Sequence, residues 1–376
     1  MRSPASWARC QALGCARPCR DSRRRWDYEP ARADPGQPGR GQFPVGAGEL
    51  VELLEHEGPE LLYLREAADH VRSQHVGDEV HLRAIIEFSN VCTRSCYYCG
   101  LRRQNQTVPR YTMQEEELLA QAGFAAELRY RTVVLQSGED PGLVAEDLAR
   151  VVQRVTAGLG LVVTLSVGER QRSDYASWYR AGARRYLLKH ETADPGLYRS
   201  LHPDAGWDRR RQCLLWLKEL GYQVGSGCMV GLPGQTTAML ADDLLFMQEL
   251  DVEMAGIGPF IPSLNTPLAG EPVGSAAMTW KMVALARLLL PQAHLPGTTA
   301  TRVRERDGHL EALRWGANVL MLNLTPPPYQ DWYQIYPGRR QHVDPRTQRE
   351  LVVERLQKMG RRAGSGPGHS VKKATW

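Results

Sequence analysis

The sequence predicts an α/β chain folded as a (βα)8 TIM-type barrel over residues 45–360, with a disordered tail at each end. Three observations lead there. Eight short β-like runs alternate with helix-like runs between residues 81 and 323, and repeated βα units imply parallel strands joined by right-handed crossovers. About 250 residues is the usual length for eight such units closed into one barrel. The unusual polar and Gly/Pro-rich clusters follow the β-like runs rather than precede them, and barrel active sites are built at those C-terminal strand ends.

The strands are predicted at 81–88, 132–136, 162–166, 185–189, 223–229, 254–258, 294–299 and 318–323, each a short run dense in apolar residues. The segments between them carry helical periodicity at 115–128, 144–157, 175–181, 208–220, 238–249, 276–289 and 308–315. The clusters after the strands include Ser89-Asn90-Val91-Cys92, Ser137-Gly138-Glu139-Asp140, Val167-Gly168-Glu169, His190-Glu191-Thr192, Val230-Gly231-Leu232-Pro233-Gly234-Gln235 and Thr298-Thr299-Ala300. Residues 1–44 are rich in Arg, Pro and Gly without period and read as a disordered basic tail. That tail is open to three readings: an organelle transit peptide, an unstructured extension or a misassigned start. Residues 361–376, running from Arg-Arg-Ala-Gly-Ser-Gly-Pro-Gly, read as a second flexible tail.

Composition excludes several classes. With 376 residues, 42% hydrophobic and 24% charged, the chain has globular composition and can bury a large core. It contains no apolar stretch of membrane-spanning length. The formal charge of +5 resides in residues 1–40, where nine arginines face four acidic residues, so the body is neutral. A nucleic-acid-binding fold carries its positive charge on the fold, so neither nucleic acid nor a membrane is the expected partner. The eight cysteines are too few for a disulfide scaffold at this length, which points to a reducing, cytoplasmic location.

Three of those cysteines form the sharpest local signal: Cys92-Thr-Arg-Ser-Cys96-Tyr-Tyr-Cys99, directly after the first strand. Soft thiolates at this spacing select zinc or an iron–sulfur cluster. Structural zinc takes four ligands, commonly in two pairs, and no second Cys-x2-Cys pair exists here. Three thiolates on a four-iron cluster leave one iron open. That iron can chelate the amino and carboxylate groups of S-adenosylmethionine (SAM), and the reduced cluster can break its C–S bond to give a 5′-deoxyadenosyl radical. The competing reading is a zinc loop completed by a distant His or by Cys228. Cys10, Cys15 and Cys19 read as unordered thiols, and Cys213 and Cys228 as buried ones.

Longer motifs carry a family resemblance over about residues 75–345. They are Val76-Gly-Asp-Glu-Val-His-Leu-Arg-Ala-Ile-Ile-Glu-Phe-Ser-Asn-Val-Cys92, Tyr98-Cys99-Gly100-Leu101-Arg102-Arg103, Val134-Leu-Gln-Ser-Gly-Glu-Asp-Pro141, Arg185-Tyr-Leu-Leu-Lys-His-Glu-Thr-Ala193, Met229-Val-Gly-Leu-Pro-Gly-Gln-Thr236, Gly256-Ile-Gly-Pro-Phe-Ile-Pro262, Asn265-Thr-Pro-Leu-Ala269 and Tyr333-Gln-Ile-Tyr-Pro-Gly338. The chain resembles the radical SAM enzymes of the biotin-synthase branch, and within it the HydE-type maturases of FeFe-hydrogenase. The resemblance implies a barrel of the radical SAM type and one 4Fe-4S cluster bound by Cys92, Cys96, Cys99 and SAM. It implies SAM contacts from Tyr98, Gln136, Ser137, Gly138, Glu139, Thr164, Glu191, Arg210 and Met254, with Arg210 on the SAM carboxylate. Arg209 and Arg211 flank it and leave the bearer of that contact open. It implies a substrate or anion pocket from Lys189, Thr298, Thr299, Ala300, Tyr333 and Tyr336. A packing role is the alternative for Met254, Tyr333 and Tyr336.

Two departures stand out. Lys189 occupies a position where nearby members of that family are expected to carry Arg, losing the two-pronged fork. No cysteine follows Cys228, so the second cluster that some relatives carry near the C-terminus cannot form. The implied reaction is radical processing of the cysteine-bound Fe(CO)2(CN) precursor of the hydrogenase active site, with the maturases HydG as donor and HydF as scaffold for partners. A methylornithine-synthase-like or other small-molecule radical SAM enzyme on the same barrel is the first rival. A noncatalytic zinc-binding protein is the second.

Overall fold

Eight parallel strands form the barrel: β1 (Glu79–Ser89), β2 (Thr132–Ser137), β3 (Val162–Ser166), β4 (Arg185–Leu187), β5 (Gln223–Ser226), β6 (Met254–Ala255), β7 (Pro296–Gly297) and β8 (Val319–Asn323). A computed structural model describes residues 46–338 and 343–372. The expected basic tail and Cys10, Cys15 and Cys19 lie outside those residues. From β1 to β6 each strand pairs with the next in sequence. β8 pairs with both β7 and β1. A single bridge between Met254 and His294 joins β6 to the residues entering β7 and closes the ring.

β1 shows why the predicted runs are apolar. Val80, Leu82, Ala84, Ile86 and Phe88 are all buried. The alternate positions reach across the barrel: His81 meets the His294 ring at 5.0 Å, Arg83 Nη1 lies 3.1 Å from Met254 Sδ, and Ile85 lines the central cavity. The inward face thus carries polar side chains, Arg83, Glu87 and Ser89, that are nonetheless buried, while the outward face is apolar.

All eight predicted strands overlap observed ones, with corrections at their ends. The runs predicted at 223–229 and 254–258 each break in two. Met229–Val230 and Gly258–Pro259 form a separate parallel pair beyond the barrel ends. At the break the two backbones nearly touch: a Cβ on Gly227 would lie 2.1 Å from Gly256 O. The strand predicted at 294–299 shortens to two residues, because Thr298 is already the N-cap of a helix, Thr299–Arg304.

Helices Ala47–Glu55 and Leu61–Val76 precede the barrel and pack on Thr237–Glu249 and Ala276–Leu289. Helix Pro345–Lys358 follows it, opened by Asp344, whose side chain accepts from Thr347 N–H at 3.0 Å.

The second flexible tail is corrected over its described part, 361–372. Arg362–Ala363 pairs in parallel with the start of β1, and the following residues thread across the barrel floor. Pro367 O accepts from Thr132 Oγ1 and Arg185 Nη2, both at 2.9 Å. Ser370 N–H donates to Gln223 Oε1 at 2.9 Å. The glycines that read as a linker serve close approach instead. Gly368 has φ +59, and a Cβ there would meet the His81 ring at 2.6 Å.

Candidate active site

The loop after β1 is held by backbone-directed side chains. Asn90 Nδ2 donates to Pro109 O and Trp332 O, each at 2.8 Å. Arg110 donates to four carbonyls, those of Asn90, Leu101, Arg102 and Asn105, at 2.7–2.9 Å. Gly100 lies where a Cβ would come 1.9 Å from Gln334 O. This frame presents Cys92, Cys96 and Cys99, all free thiols, to one cavity of about 370 Å³ at the C-terminal end of the barrel. The three stand as separate corners; among the described residues no three His, Cys, Asp or Glu side chains form a single-ion cage.

The donor set fits an iron–sulfur group. Burial and the neighbouring thiols push Cys99 up to about 12 and Cys96 well above the usual thiol range. Burial also raises Cys92. Buried, crowded thiols of this kind give up their protons only with cations among them, as an iron–sulfur cluster provides. Glu139 N–H lies 3.4 Å from Cys92 Sγ as a donor. Gly138 makes that approach possible, since a Cβ there would stand 2.3 Å from Val91 O and 2.8 Å from Cys92 Cβ.

Beside the thiols lies a charged network. Arg94, inside the cysteine loop, pairs with Glu139 and, through Nη2, with Glu169 Oε2 at 2.9 Å. Arg210 Nε donates to Glu169 Oε1 at 2.7 Å and its Nη1 to Lys189 O at 2.5 Å. Burial opposes the charge on Arg210, but Tyr198, Glu169 and Glu139 outweigh it and hold the guanidinium well above its usual pKa.

Tyr98 OH lies 2.9 Å from His202 Nε2, and His202 Nδ1 lies 2.8 Å from Tyr198 O. Burial pushes His202 down to about 4. The neutral ring therefore donates through Nδ1 to the carbonyl and accepts from Tyr98 at Nε2.

Deeper in, Gln136 Nε2 donates to Tyr333 OH at 3.1 Å. Lys189 Nζ lies 3.6 Å from Glu191 Oε2. Glu191 has φ 67, a left-handed conformation that costs about 1 kcal/mol or more in a non-glycine residue. Gly258 leaves room for Thr298, whose Oγ1 would lie 2.9 Å from a Cβ there.

Every site residue predicted from sequence lines this one cavity except Thr164. Thr164 is buried with its hydroxyl unpartnered; Ser166, two residues further along the same strand face, lines the cavity in its place. Sequence reasoning missed Glu169, His202 and Arg110. Glu169 stood in a noted strand-end cluster; neither His202 nor Arg110 belongs to a motif that marks it. Cys213 and Cys228 are buried, as expected.

The model of the radical SAM superfamily matches residues 86–247. The FeFe hydrogenase maturase subunit HydE of Thermotoga maritima is 53% identical over 276 residues, covering 73% of this chain and 79% of that protein. The chain belongs to the HydE family of radical SAM enzymes. HydE membership makes it an enzyme, a hydrogenase maturase, and implies a 4Fe-4S cluster and SAM. The 3-methylornithine synthase of Methanosarcina barkeri is 29% identical, covering 83% of this HydE-family chain and 87% of that protein. A solved methylornithine synthase superposes with TM-score 0.77 at 28% identity, over 86% of this chain and 95% of the other. The maturase HydG superposes with TM-score 0.72 at 19% identity, over 84% and 72%, a likeness of fold. No described helix is long and apolar enough to cross a membrane.

Proposed function

We propose that this chain binds one 4Fe-4S cluster through Cys92, Cys96 and Cys99 and acts on the Fe(CO)2(CN)-cysteine precursor of the hydrogenase active-site cluster. The observation that carries the reading is the single cavity joining three thiols, an arginine network and a deeper polar pocket, in a chain 53% identical to a HydE. When bound, the cluster supplies the electron that cleaves SAM. Arg210 pairs with the SAM carboxylate. Gly138 lets the end of β2 close on the ligand, and Glu139 places its backbone N–H toward Cys92. Tyr98, braced by His202, offers a ring face, and Met254 and the walls around it exclude water. Gln136, Ser137 and Glu191 complete the polar lining on the SAM side. Thr164 supports that side only from the layer below, since it does not line the cavity. Thr298, Thr299 and Ala300 receive the substrate's carboxylate through hydroxyls and backbone N–H groups, and the Lys189 ammonium supplies the positive charge in the same cavity. Tyr333 and Tyr336 close the pocket.

HydG as donor and HydF as scaffold are the proposed partners. The test is anaerobic reconstitution with SAM, dithionite and the organometallic precursor, followed by transfer to apo-hydrogenase. Activated hydrogenase is expected, with deoxyadenosine released. Cys92→Ala, Cys96→Ala and Cys99→Ala should each abolish that release, because each thiolate holds one iron. The likeness to methylornithine synthase supports a second reading, conversion of lysine to methylornithine. Product from lysine, with no hydrogenase activation, would decide for it. One zinc per chain and no deoxyadenosine would decide for a noncatalytic metal protein.

A further inference from the structure

Glu169 has no role in the function just described, and it does not line the cavity. Its side chain is only 2% exposed. Both oxygens are committed: Oε2 accepts from Arg94 Nη2 at 2.9 Å and Oε1 from Arg210 Nε at 2.7 Å. Its own N–H donates to Glu139 Oε1 at 3.1 Å. Arg94 lies between two of the three cysteines, and its Nη1 donates onward to Asp204 O at 3.1 Å. Glu169 is thus the shared counter-ion of one arginine from the cysteine loop and one from helix Trp207–Glu219.

That sharing fixes a direction. Guanidinium is planar with five N–H donors. With Nε on Glu169 and Nη1 on Lys189 O, its plane is set by two anchors. Nη2 makes no hydrogen bond among the described residues and lies 3.7 Å from Glu139 Oε1. It remains as the donor for an incoming carboxylate. Two arginines against two glutamates also leave the network neutral, so both guanidinium groups are compensated in their part-buried place before any ligand arrives.

We propose that Glu169 is a positioning residue that ties the cysteine loop to Arg210 and so aims Arg210 at the SAM carboxylate. This rests on the reading that Arg210 makes that contact.

The test uses full-length, iron-reconstituted protein carrying Glu169→Gln or Glu169→Asp. Gln has the same shape, but its amide oxygen can accept from one arginine while its NH2 group faces the other. Arg94 and Arg210 keep their carbonyl partners, so iron content should stay near wild type. The SAM dissociation constant, read from the change in the reduced cluster's EPR signal on titration, should rise roughly ten- to hundredfold, the worth of one charge-assisted hydrogen bond. KM for SAM should rise with it, and kcat at saturating SAM should fall less. Glu169→Asp keeps the charge one methylene short and should recover part of the affinity; it carries the same test if the Gln variant does not hold iron. Unchanged SAM affinity in the iron-loaded variants would overturn the inference, even if melting temperature fell, because the role would then be structural. Arg210→Ala separates the two levels. If it leaves SAM affinity untouched, the assignment of Arg210 fails; if it weakens SAM while Glu169→Gln does not, only the inference about Glu169 fails.

Discussion

Gly138 concentrates the demands of the site in one missing side chain. A methyl group there would collide with Val91 O and Cys92 Cβ, and Glu139 N–H next to it faces Cys92 Sγ. Gly138→Ala is therefore expected to move the Cys92 thiol away from its donor while leaving the barrel intact. Iron retained after reconstitution and gel filtration should fall severalfold, with an unchanged circular dichroism spectrum. Full iron retention would mean that the loop yields at no cost. Gly138 was legible in the sequence because it lies in a contiguous motif at a strand end. Glu169 and His202 were not, because what makes them matter is remote in sequence: Arg94 and Tyr98 are 75 and 104 residues away. Thr164 shows the complementary error. A motif identifies the strand and its inward face, but residues 164 and 166 share that face, and only the depth of the cavity decides which one reaches it.

Elements were legible where burial leaves a period and illegible where single contacts build them. Helix Pro345–Lys358 and the two helices before β1 are absent from the sequence reading, and the floor segment reads there as linker because Gly, Ser and Pro look alike in a flexible chain and in a close-fitting one. Arg110 is an element-scale device of this kind: one guanidinium gathers four carbonyls of the cysteine loop. Arg110→Ala should lower iron retention severalfold, and Arg110→Lys should not restore it, since an ammonium lacks the fork that reaches several carbonyls at once; iron analysis of the two variants checks this. The floor segment makes a separate prediction about pH. Burial, with Arg83 and Arg185 adding, pushes His81 and His369 down to about 4, and His294 falls well below its usual range. In the open chain these rings take up protons near pH ~6.5. Between there and about 4 the open state binds more protons than the closed one, so stability is complete above that window and declines as pH falls through it. Amide exchange over residues 364–372 should accelerate between about pH 7.5 and about pH 5 after correction for intrinsic rates. Equal protection at both would show that the histidines do not govern the seat.

At the scale of the whole molecule, the eight-fold repeat was legible because parallel strands covered on both faces produce apolar runs that recur with the βα period. The closure of the ring was not, since it depends on one bridge at Met254 and His294. The distribution of cysteines over the chain bears on stoichiometry. Of the five described cysteines, Cys92, Cys96 and Cys99 line the active-site cavity, whereas Cys213 and Cys228 are buried and do not line it. No cysteine follows Cys228, and the carboxylates and His342 of the C-terminal region are harder ligands that do not replace thiolates on a cubane. Cys10, Cys15 and Cys19 can take up iron adventitiously during chemical reconstitution, so the measurement belongs on protein lacking residues 1–40. That segment carries the net charge and no apolar period, and its removal should leave melting temperature unchanged. The shortened protein is expected to hold about four irons and four sulfides per chain, the content of one cubane. Its reduced EPR signal should be one species that shifts when SAM is added, because the proposed cluster is the one whose open iron SAM ligates. A reproducible content near twice that, or a second reduced signal indifferent to SAM, would place another cluster in the molecule and require thiolates that the barrel does not bring together.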